Sequence, residues 1–265
     1  MLIDPKSSLV KGVAKLSKKD ARSLTGLFLL EGPQGLKEVL NRPKLVVELY
    51  ATPECVERYP ELFERAKKAR IDLVLVSNDV LRAMCDTTTP QGVVAVCQKV
   101  DVSLAEVIAA KPKLVAVLSQ VRDPGNAGTV LRAADAAGAD AVIFTTSSVD
   151  VYNSKVVRST TGSIFHLPFA VEVPVEEAID ALRAAGLQVF AADGGGEWIP
   201  DLPAQTLQQP TAWVFGNEAW GFEPETLELV DKVVGVPIYG AAESLNLATA
   251  ASVCLYASAF AQNQA

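Results

Sequence analysis

The C-terminal part of this chain alternates continuous apolar runs with helical segments, and this alternation limits the folds that it can adopt. The apolar runs have the length of strands and occupy residues 114–119, 141–146, 187–192, 212–216 and 233–238. The segments with helical spacing occupy residues 126–137, 153–158, 176–185 and 245–260. Continuous apolar strands are typical of parallel sheets that are buried on both faces. The pattern therefore predicts an α/β fold with a parallel sheet covered by helices.

The first hundred residues carry a second, smaller α/β pattern. Residues 8–25 have helical spacing, with lysines between the apolar positions Leu9, Val13 and Leu16. Predicted strands follow at residues 28–32, 44–51, 71–77 and 92–100, and predicted helices begin at residue 33 and span residues 54–69 and 78–84. The sequence Lys-Pro-Lys at 111–113 marks a boundary. We predict an N-terminal domain over residues 1–100, a linker over 101–112 and a C-terminal domain over 113–265.

The net charge of −7 is distributed unevenly. Residues 1–112 hold 17 lysines and arginines against 14 acidic residues, whereas residues 113–265 hold 7 against 17. Six cations lie in the first 22 residues, and four of the seven later ones lie between positions 122 and 158. A basic arm and a basic patch can contact phosphates although the whole chain is acidic. We predict contacts with nucleic-acid phosphates at Lys15, Lys18, Lys19, Arg22, Arg122, Lys155 and Arg158; a solvated helix face is the alternative for the arm.

Several classes of protein are disfavoured by the sequence. The four cysteines lie far apart in the sequence and form no C-x-x-C motif. We therefore predict reduced thiols in a cytoplasmic protein. The single histidine, His166, excludes a His-rich metal site, and we expect it to be half-buried and structural. Polar residues interrupt the apolar stretch 245–261, so we expect a packed helix and no membrane span. The sequence has no secretory signal pattern, no G-x-G-x-x-G after a strand and no P-loop.

Three short polar segments, here called the polar islands, follow predicted strands in the C-terminal part. They are residues 123–128 with Arg132, residues 215–218 and residues 243–246. In an open α/β sheet, loops at the carboxyl ends of the strands form the ligand crevice. We therefore expect the polar islands to meet at one site.

Each polar island also allows a purely structural interpretation. Asn126 can cap the helix that follows it, and Ser244 can cap the last helix with Asn246 in its first turn. Gly216 at a strand end lets a ligand approach the backbone. Glu218 would be costly to bury without a partner or a substrate hydroxyl. Its alternative role is to cap the helix near residue 224.

The local sequence of the islands resembles that of a known family. Asn126-x-Gly128-x-x-x-Arg132, Phe215-Gly216-Asn217-Glu218 and Ser244-Leu245-Asn246-x-Ala248 are similar, in order and spacing, to the three signature motifs of the SpoU (TrmH-type) RNA ribose 2′-O-methyltransferases. Residues 157–163 resemble the middle segment of that family. Residues 1–100 resemble the ribosomal-protein-like substrate-binding domain that precedes many such catalytic domains.

The resemblance implies S-adenosylmethionine as the cofactor, large-subunit rRNA as the substrate, a trefoil knot and a homodimer formed by the catalytic domain. It implies catalytic roles for Asn126, Arg132, Glu218, Ser244 and Asn246, and cofactor contacts for Gly216, Val236, Ile238 and Leu245. It implies no metal. The family's usual proposal makes Arg132 the base. Because a guanidinium does not deprotonate in proteins, stabilisation of the alkoxide and contact with a phosphate form an alternative role for Arg132.

Other functions stay open at the level of sequence. One is a catalytically silent RNA-binding or ribosome-assembly factor, and another is a tRNA-directed 2′-O-methyltransferase. A small-molecule enzyme on a doubly wound sheet is a third, because fold alone does not define chemistry. The motifs also do not separate housekeeping modification from antibiotic resistance.

Overall fold

The computed structural model describes residues 1–203 and 205–264. The chain divides into two compact units. The N-terminal unit comprises Met1–Val100 and Asp150–Phe165, and the C-terminal unit comprises Asp101–Val149 and His166–Ala265. Each unit is therefore built from two separate stretches of sequence.

Ten strands are present among the described residues. They are β1 (Leu27–Glu31), β2 (Val46–Ala51), β3 (Leu73–Leu75), β4 (Val93–Gln98), β5 (Leu114–Leu118), β6 (Ala141–Thr145), β7 (Phe169–Val173), β8 (Gln188–Trp198), β9 (Thr211–Phe215) and β10 (Lys232–Gly235).

Twelve α-helices are present in the same part of the chain. They are α1 (Ser8–Lys15), α2 (Lys19–Thr25), α3 (Pro33–Val39), α4 (Pro53–Arg58), α5 (Pro60–Lys68), α6 (Asn78–Met84), α7 (Leu104–Ala109), α8 (Pro124–Ala136), α9 (Ser154–Ser159), α10 (Val175–Ala184), α11 (Pro224–Leu229) and α12 (Leu247–Asn263).

The N-terminal unit has a four-stranded sheet in the order β1-β4-β2-β3. Strand β4 is antiparallel to both neighbours, and β2 and β3 are parallel. On one side, the buried Val10 and Val13 of α1 pack with Val80 and Met84 of α6. Helix α1 thus uses its apolar stripe to cover the sheet, and its lysines stay exposed.

Residues 150–165 belong to the N-terminal unit although they follow β6 of the other unit in sequence. Helix α9 packs on β1. The ring of Phe28, which is fully buried, lies 4.9 Å from the ring of Tyr152 and 6.3 Å from that of Phe165. The Tyr152 hydroxyl accepts a hydrogen bond from the backbone N–H of Val100 at 2.7 Å. This segment therefore completes the core around Phe28.

The C-terminal unit has a six-stranded sheet in the order β10-β8-β9-β5-β6-β7, and every neighbouring pair is parallel. All five residues of each of β5, β6 and β9 are buried. This confirms the predicted parallel α/β sheet. Helix α12 packs against α8 and the central strands β5, β8 and β9. The trefoil knot implied by the resemblance stays a prediction.

Strand β8 carries a loop that the sequence analysis did not predict. Lys232 and Val233 of β10 pair with residues 190 and 191, but the next residue, Val234, pairs with Glu197. The intervening residues 192–196 do not pair with β10, although Ala192 still pairs with Phe215 of β9. A Cβ atom on Gly196 would lie 2.2 Å from the carbonyl oxygen of Val233, so only glycine fits where the chain rejoins β10.

Several predicted boundaries were wrong for identifiable reasons. The helix predicted over residues 54–69 breaks at Tyr59, because Pro60 lacks an N–H and restricts the residue before it. The helical region 8–25 is likewise two helices, α1 and α2. Strand β7 was not predicted at all.

Two predicted helix caps were also wrong. Asp123, not Asn126, caps α8, and Asn246, not Ser244, caps α12. In each case the side chain that accepts the backbone hydrogen bond belongs to the residue with non-helical dihedral angles, which spacing alone does not define.

Candidate active site

The three polar islands lie at one edge of the C-terminal sheet. Parallel strands place their carboxyl ends together, and the islands follow β5, β9 and β10. The backbone N–H of Ser119 donates to the carbonyl of Phe215 at 2.8 Å, and the Asn217 side chain donates to the carbonyl of Gln120 at 2.7 Å. The segment that leads from β5 into the first island is therefore tied to the second island just beyond the strand ends.

A chain of hydrogen bonds joins one side chain from each island. One carboxylate oxygen of Glu218 accepts from the Asn126 side-chain amide at 3.2 Å. The amide oxygen of Asn126 accepts from the Asn246 side chain at 2.9 Å. The Asn246 oxygen in turn accepts from the backbone N–H of Ala248, also at 2.9 Å, and so caps α12.

The two ends of this chain fix the orientation of both amides. An ionised carboxylate only accepts hydrogen bonds, so Asn126 must turn its NH₂ group toward Glu218. Its oxygen then faces Asn246, which must donate, and this leaves the Asn246 oxygen for the backbone donors of α12. Glu218 is itself fixed, because it accepts from the backbone N–H groups of Arg122 at 3.2 Å and Asp123 at 3.1 Å. The Glu218–Asn126–Asn246 chain is thus preorganised.

A cavity of about 770 Å³ opens beside this chain. Its size suits a ligand of nucleoside dimensions or larger. All four residues predicted to contact the cofactor line it, namely Gly216, Val236, Ile238 and Leu245. Four of the five predicted catalytic residues also line it: Asn126, Glu218, Ser244 and Asn246. The structure therefore brings eight of the nine predicted site residues together.

Arg132 is the exception. It is exposed on α8 and does not line the cavity. Six residues of helix separate it from Asn126, which corresponds to a rotation of about 240° and a rise of about 9 Å. Within residues 1–203 and 205–264, its guanidinium has no hydrogen-bond or ion-pair partner. The spacing N-x-G-x-x-x-R therefore does not place both side chains in the cavity of one chain.

The cavity lining is acidic. It includes the carboxylates of Asp193, Glu218 and Glu243 and, in the part of the chain that the structure describes, no lysine or arginine. Such a site favours a cationic ligand and disfavours a nucleotide phosphate. Burial raises the pKa of the Cys254 thiol, which also lines the cavity, from its ordinary 9.0 to about 12, so this thiol is neutral at pH 7.

The β8 loop contributes cavity residues that were not predicted from the sequence. Asp193 and Gly194, which leave the ladder, line the cavity, and so does Trp198 where the strand resumes. The signal available was the run Asp-Gly-Gly-Gly directly after an apolar strand. Gly235 explains part of this arrangement, because a Cβ atom there would lie 2.8 Å from the Asp193 carbonyl oxygen and from the Trp198 ring.

Gly216 needs to be glycine for a reason other than the one predicted. A Cβ atom on Gly216 would lie 2.5 Å from the carbonyl oxygen of Gly221, across the tight loop that follows β9. The absence of a side chain thus permits the loop to close. The Gly216 backbone still lines the cavity.

The predicted RNA contacts divide into two groups. Lys15, Lys18, Lys19, Arg122 and Lys155 have exposed side chains. Arg22, however, is only 2% exposed and forms an ion pair with Asp150 at 2.5 Å, so its prediction as a phosphate contact was wrong. Arg158 is one-third exposed and pairs at 2.8 Å with the buried carboxylate of Glu31.

His166 was expected to be half-buried, but it is exposed, and its ring contacts Asp135 of α8 at 2.9 Å. Within the described residues, no cluster of three or more histidine, cysteine or acidic side chains could hold a metal ion. No helix of this part is long and apolar enough to cross a membrane.

Family profiles match both the N-terminal and the C-terminal part of the chain. The profile of the SpoU rRNA Methylase family matches residues 113–256, and that of the MRM3-like substrate binding domain matches residues 7–95. The chain is 36% identical over 253 residues to the 23S rRNA (guanosine(2553)-2′-O)-methyltransferase RlmP of Bacillus subtilis, covering 95% of this chain and 96% of that protein. It is 31% identical to the 23S rRNA (uridine(2479)-2′-O)-methyltransferase of Streptomyces viridochromogenes, covering 92% and 86%.

Solved structures are similar over the full length. The AdoMet-bound rRNA methyltransferase of Sinorhizobium meliloti matches with a TM-score of 0.83 and 27% identity, over 97% of this chain and 96% of that chain. AviRb of Streptomyces viridochromogenes, in complex with AdoMet, matches with a TM-score of 0.82 and 29% identity, over 98% and 100%. Together with the site geometry, these matches show that the chain belongs to the SpoU rRNA methylase family.

Proposed function

We propose that this protein transfers the methyl group of S-adenosylmethionine to a ribose 2′-hydroxyl of large-subunit ribosomal RNA. The observation that carries the proposal is the preorganised Glu218–Asn126–Asn246 chain at the acidic cavity. The two relatives described above are named as 23S rRNA 2′-O-methyltransferases. A role on ribosomal RNA would place the protein in the cytoplasm.

The cavity residues fit the proposed cofactor chemically. S-adenosylmethionine, when bound, supplies an electrophilic methyl group on a positively charged sulfur. The three carboxylates of the lining match a ligand that carries sulfonium and ammonium charges. Gly216, Val236, Ile238 and Leu245 would hold the nucleoside part through backbone and apolar contacts. Asp193 would add the main charge contact from the β8 loop.

The polar side chains would position the ribose hydroxyl. Asn126, Ser244 and Asn246 offer short hydrogen-bonding groups at the cavity, and Glu218 keeps Asn126 in one orientation. Correct placement of two reacting groups lowers a reaction barrier by several kcal/mol, on the order of 7–11 kcal/mol in well-oriented systems. The neutral Cys254 thiol is unsuited to act as a base. The 2′-hydroxyl would lose its proton to solvent water at the open cavity, and we assign Arg132 to stabilise the alkoxide that develops and to contact a phosphate.

Arg132 would meet the reacting hydroxyl across a homodimer interface. It lies outside the cavity of its own chain, on α8, which packs beside α12. Helix α12 carries an apolar stripe of Val253, Tyr256 and Phe260, with Phe260 62% exposed. Positions i, i+3 and i+7 lie on one helix face, as in helix–helix interfaces. A second copy of this chain would cover that stripe and bring its Arg132 to the cavity.

The reaction itself is tested by methyl transfer from radiolabelled S-adenosylmethionine to ribosomal RNA from cells that lack this protein. The expected product is one 2′-O-methylated nucleotide in the large-subunit RNA, mapped by its resistance to alkaline cleavage. Arg132→Ala is expected to lower turnover by about 100-fold or more while cofactor affinity is unchanged. Label in tRNA instead of rRNA, or undiminished turnover by Arg132→Ala, would contradict the corresponding part of the proposal.

The shared site is tested by mixing two inactive chains. Co-expressed Arg132→Ala and Glu218→Ala chains form about half heterodimers. If Arg132 acts on the partner's cavity, each heterodimer has one intact site, and activity returns to about a quarter of the wild-type level. If Arg132 acts within its own chain, the mixture stays inactive. A monomeric mass for the wild-type protein would also reject this arrangement.

A further inference from the structure

The loop after β9 carries an exposed aromatic side chain that no step of the reaction uses. Trp220 is 48% exposed. Its sequence neighbours Ala219 and Gly221 both line the cavity, and Glu218 is two residues away. Two residues span at most about 7 Å. The backbone of Trp220 therefore lies at the rim of the cavity, although its indole is not part of the cavity lining.

This loop is held firmly. Asn217 and Gly221 exchange two backbone hydrogen bonds, at 2.7 and 2.9 Å, which close the turn. The Asn217 side chain accepts from the N–H of Ala219 at 2.8 Å and donates to the carbonyl of Gln120 at 2.7 Å. An exposed tryptophan on a closed turn has little conformational entropy to lose when it binds a ligand.

One cation already contacts the indole. The guanidinium carbon of Arg122 lies 5.0 Å from the centroid of the Trp220 ring, within the range of a cation–π interaction. The backbone of Arg122 is fixed by the hydrogen bond from its N–H to Glu218. Among the described residues, no aromatic ring packs on Trp220. The pair thus presents an aromatic face and a planar cation together.

We propose that Trp220 and Arg122 form a stacking platform for an unpaired nucleobase next to the nucleotide that is methylated. This inference rests on the proposed RNA substrate and adds to it the element that holds the neighbouring base. Aromatic rings and guanidinium planes stack on the faces of unpaired bases, and Arg122 can in addition contact a phosphate. Stacking accepts any base, so the platform contributes affinity and placement, and sequence choice is made elsewhere.

The test compares three substitutions at Trp220 in the full-length protein. Trp220→Phe keeps an aromatic face, Trp220→Leu keeps apolar bulk without a π-face, and Trp220→Ala removes both. The probe is an unmodified transcript of large-subunit ribosomal RNA. We expect the Kd and KM for this RNA to rise roughly five- to 150-fold in the Leu and Ala variants and to stay within about threefold of wild type in Trp220→Phe. Cofactor affinity and oligomeric mass should not change.

The control on the RNA side removes single bases. Once the methylated nucleotide is mapped, abasic sites are placed one position before or after it. One of these abasic sites should weaken RNA binding to the wild-type protein but should not weaken binding to Trp220→Ala any further. Such non-additive losses would show that the missing base and Trp220 contact each other directly.

Three results would overturn the platform. They are unchanged RNA affinity in Trp220→Ala, equal losses in the Phe and Leu variants, and a changed oligomeric mass, which would assign the indole to a second copy of this chain. Failure of the wild-type protein to methylate ribosomal RNA would instead reject the proposed function. The two failures are therefore distinguishable.

Discussion

The N-terminal and C-terminal units use their charged and polar side chains in different ways. In the N-terminal unit, Arg22 and the carboxylate of Glu31 are almost fully buried and are held in ion pairs. In the C-terminal unit, Glu218, Asn126 and Asn246 bond to one another at an open cavity. Position in the topology therefore predicts which polar side chains meet better than a run of like charges predicts which cations are exposed. Strand ends must meet at one edge of a parallel sheet, whereas the burial of an arginine depends on distant partners.

The largest expected effect tests the structural role of Arg22. Arg22→Met should lower the free energy of unfolding by about 3 kcal/mol, because it removes the partner of the Asp150 carboxylate, which is only 16% exposed. Urea denaturation measures this change. The control is Lys18→Met, whose exposed side chain should alter stability by no more than about 0.5 kcal/mol. Equal free energies of unfolding for Arg22→Met and Lys18→Met would mean that the buried ion pair of Arg22 contributes nothing measurable to stability.

A smaller effect is expected at the cavity. Asp193→Asn should weaken S-adenosylmethionine binding by about tenfold, since a charged contact in a cavity contributes about 1.5–3 kcal/mol. Calorimetric titration should show a smaller loss for S-adenosylhomocysteine, which lacks the sulfonium charge. Asp201→Asn makes the same charge change outside the cavity and should leave both affinities unaltered. Equal losses for the two ligands would mean that Asp193 contacts a neutral part of the cofactor.

The smallest effect concerns the exposed lysines of the N-terminal unit. Lys15→Ala combined with Lys18→Ala should weaken RNA binding several-fold and reduce the slope of log K against log salt by about 1.4, or 0.7 per lost phosphate contact. Filter binding over a series of salt concentrations measures the slope. Cofactor affinity serves as the internal control and should not move. An unchanged slope would mean that these lysines only solvate their helices.

Much of the fold and most of the site could be predicted from the sequence. The apolar runs predicted a parallel sheet because burial on both faces removes polar residues from a strand. The polar islands predicted the convergence of Asn126, Glu218 and Asn246. Which residue caps α8 or α12 could not be predicted, because Asp, Ser and Asn cap equally well and backbone dihedral angles decide among them.

Two other features depend on partners that are far apart in sequence. The loop at residues 192–196 exists only because β10 pairs with β8 in two registers. Residues 150–165 are placed with the N-terminal unit because Phe28 needs the rings of Tyr152 and Phe165 to complete its core. The run Asp-Gly-Gly-Gly marks the first feature only as a break after an apolar strand, and the second feature has no signal in the local composition.

The divided N-terminal unit also limits how this architecture can be recombined. Its sequence is interrupted by Asp101–Val149, so a cut after residue 100 would separate Arg22 from Asp150 and Glu31 from Arg158. A chimaera that takes its N-terminal unit from a relative must therefore import a second fragment, residues 150–165, from the same parent. The two units are consequently inherited as interleaved segments, and changes in the N-terminal unit are expected as matched substitutions on both sides of that interruption.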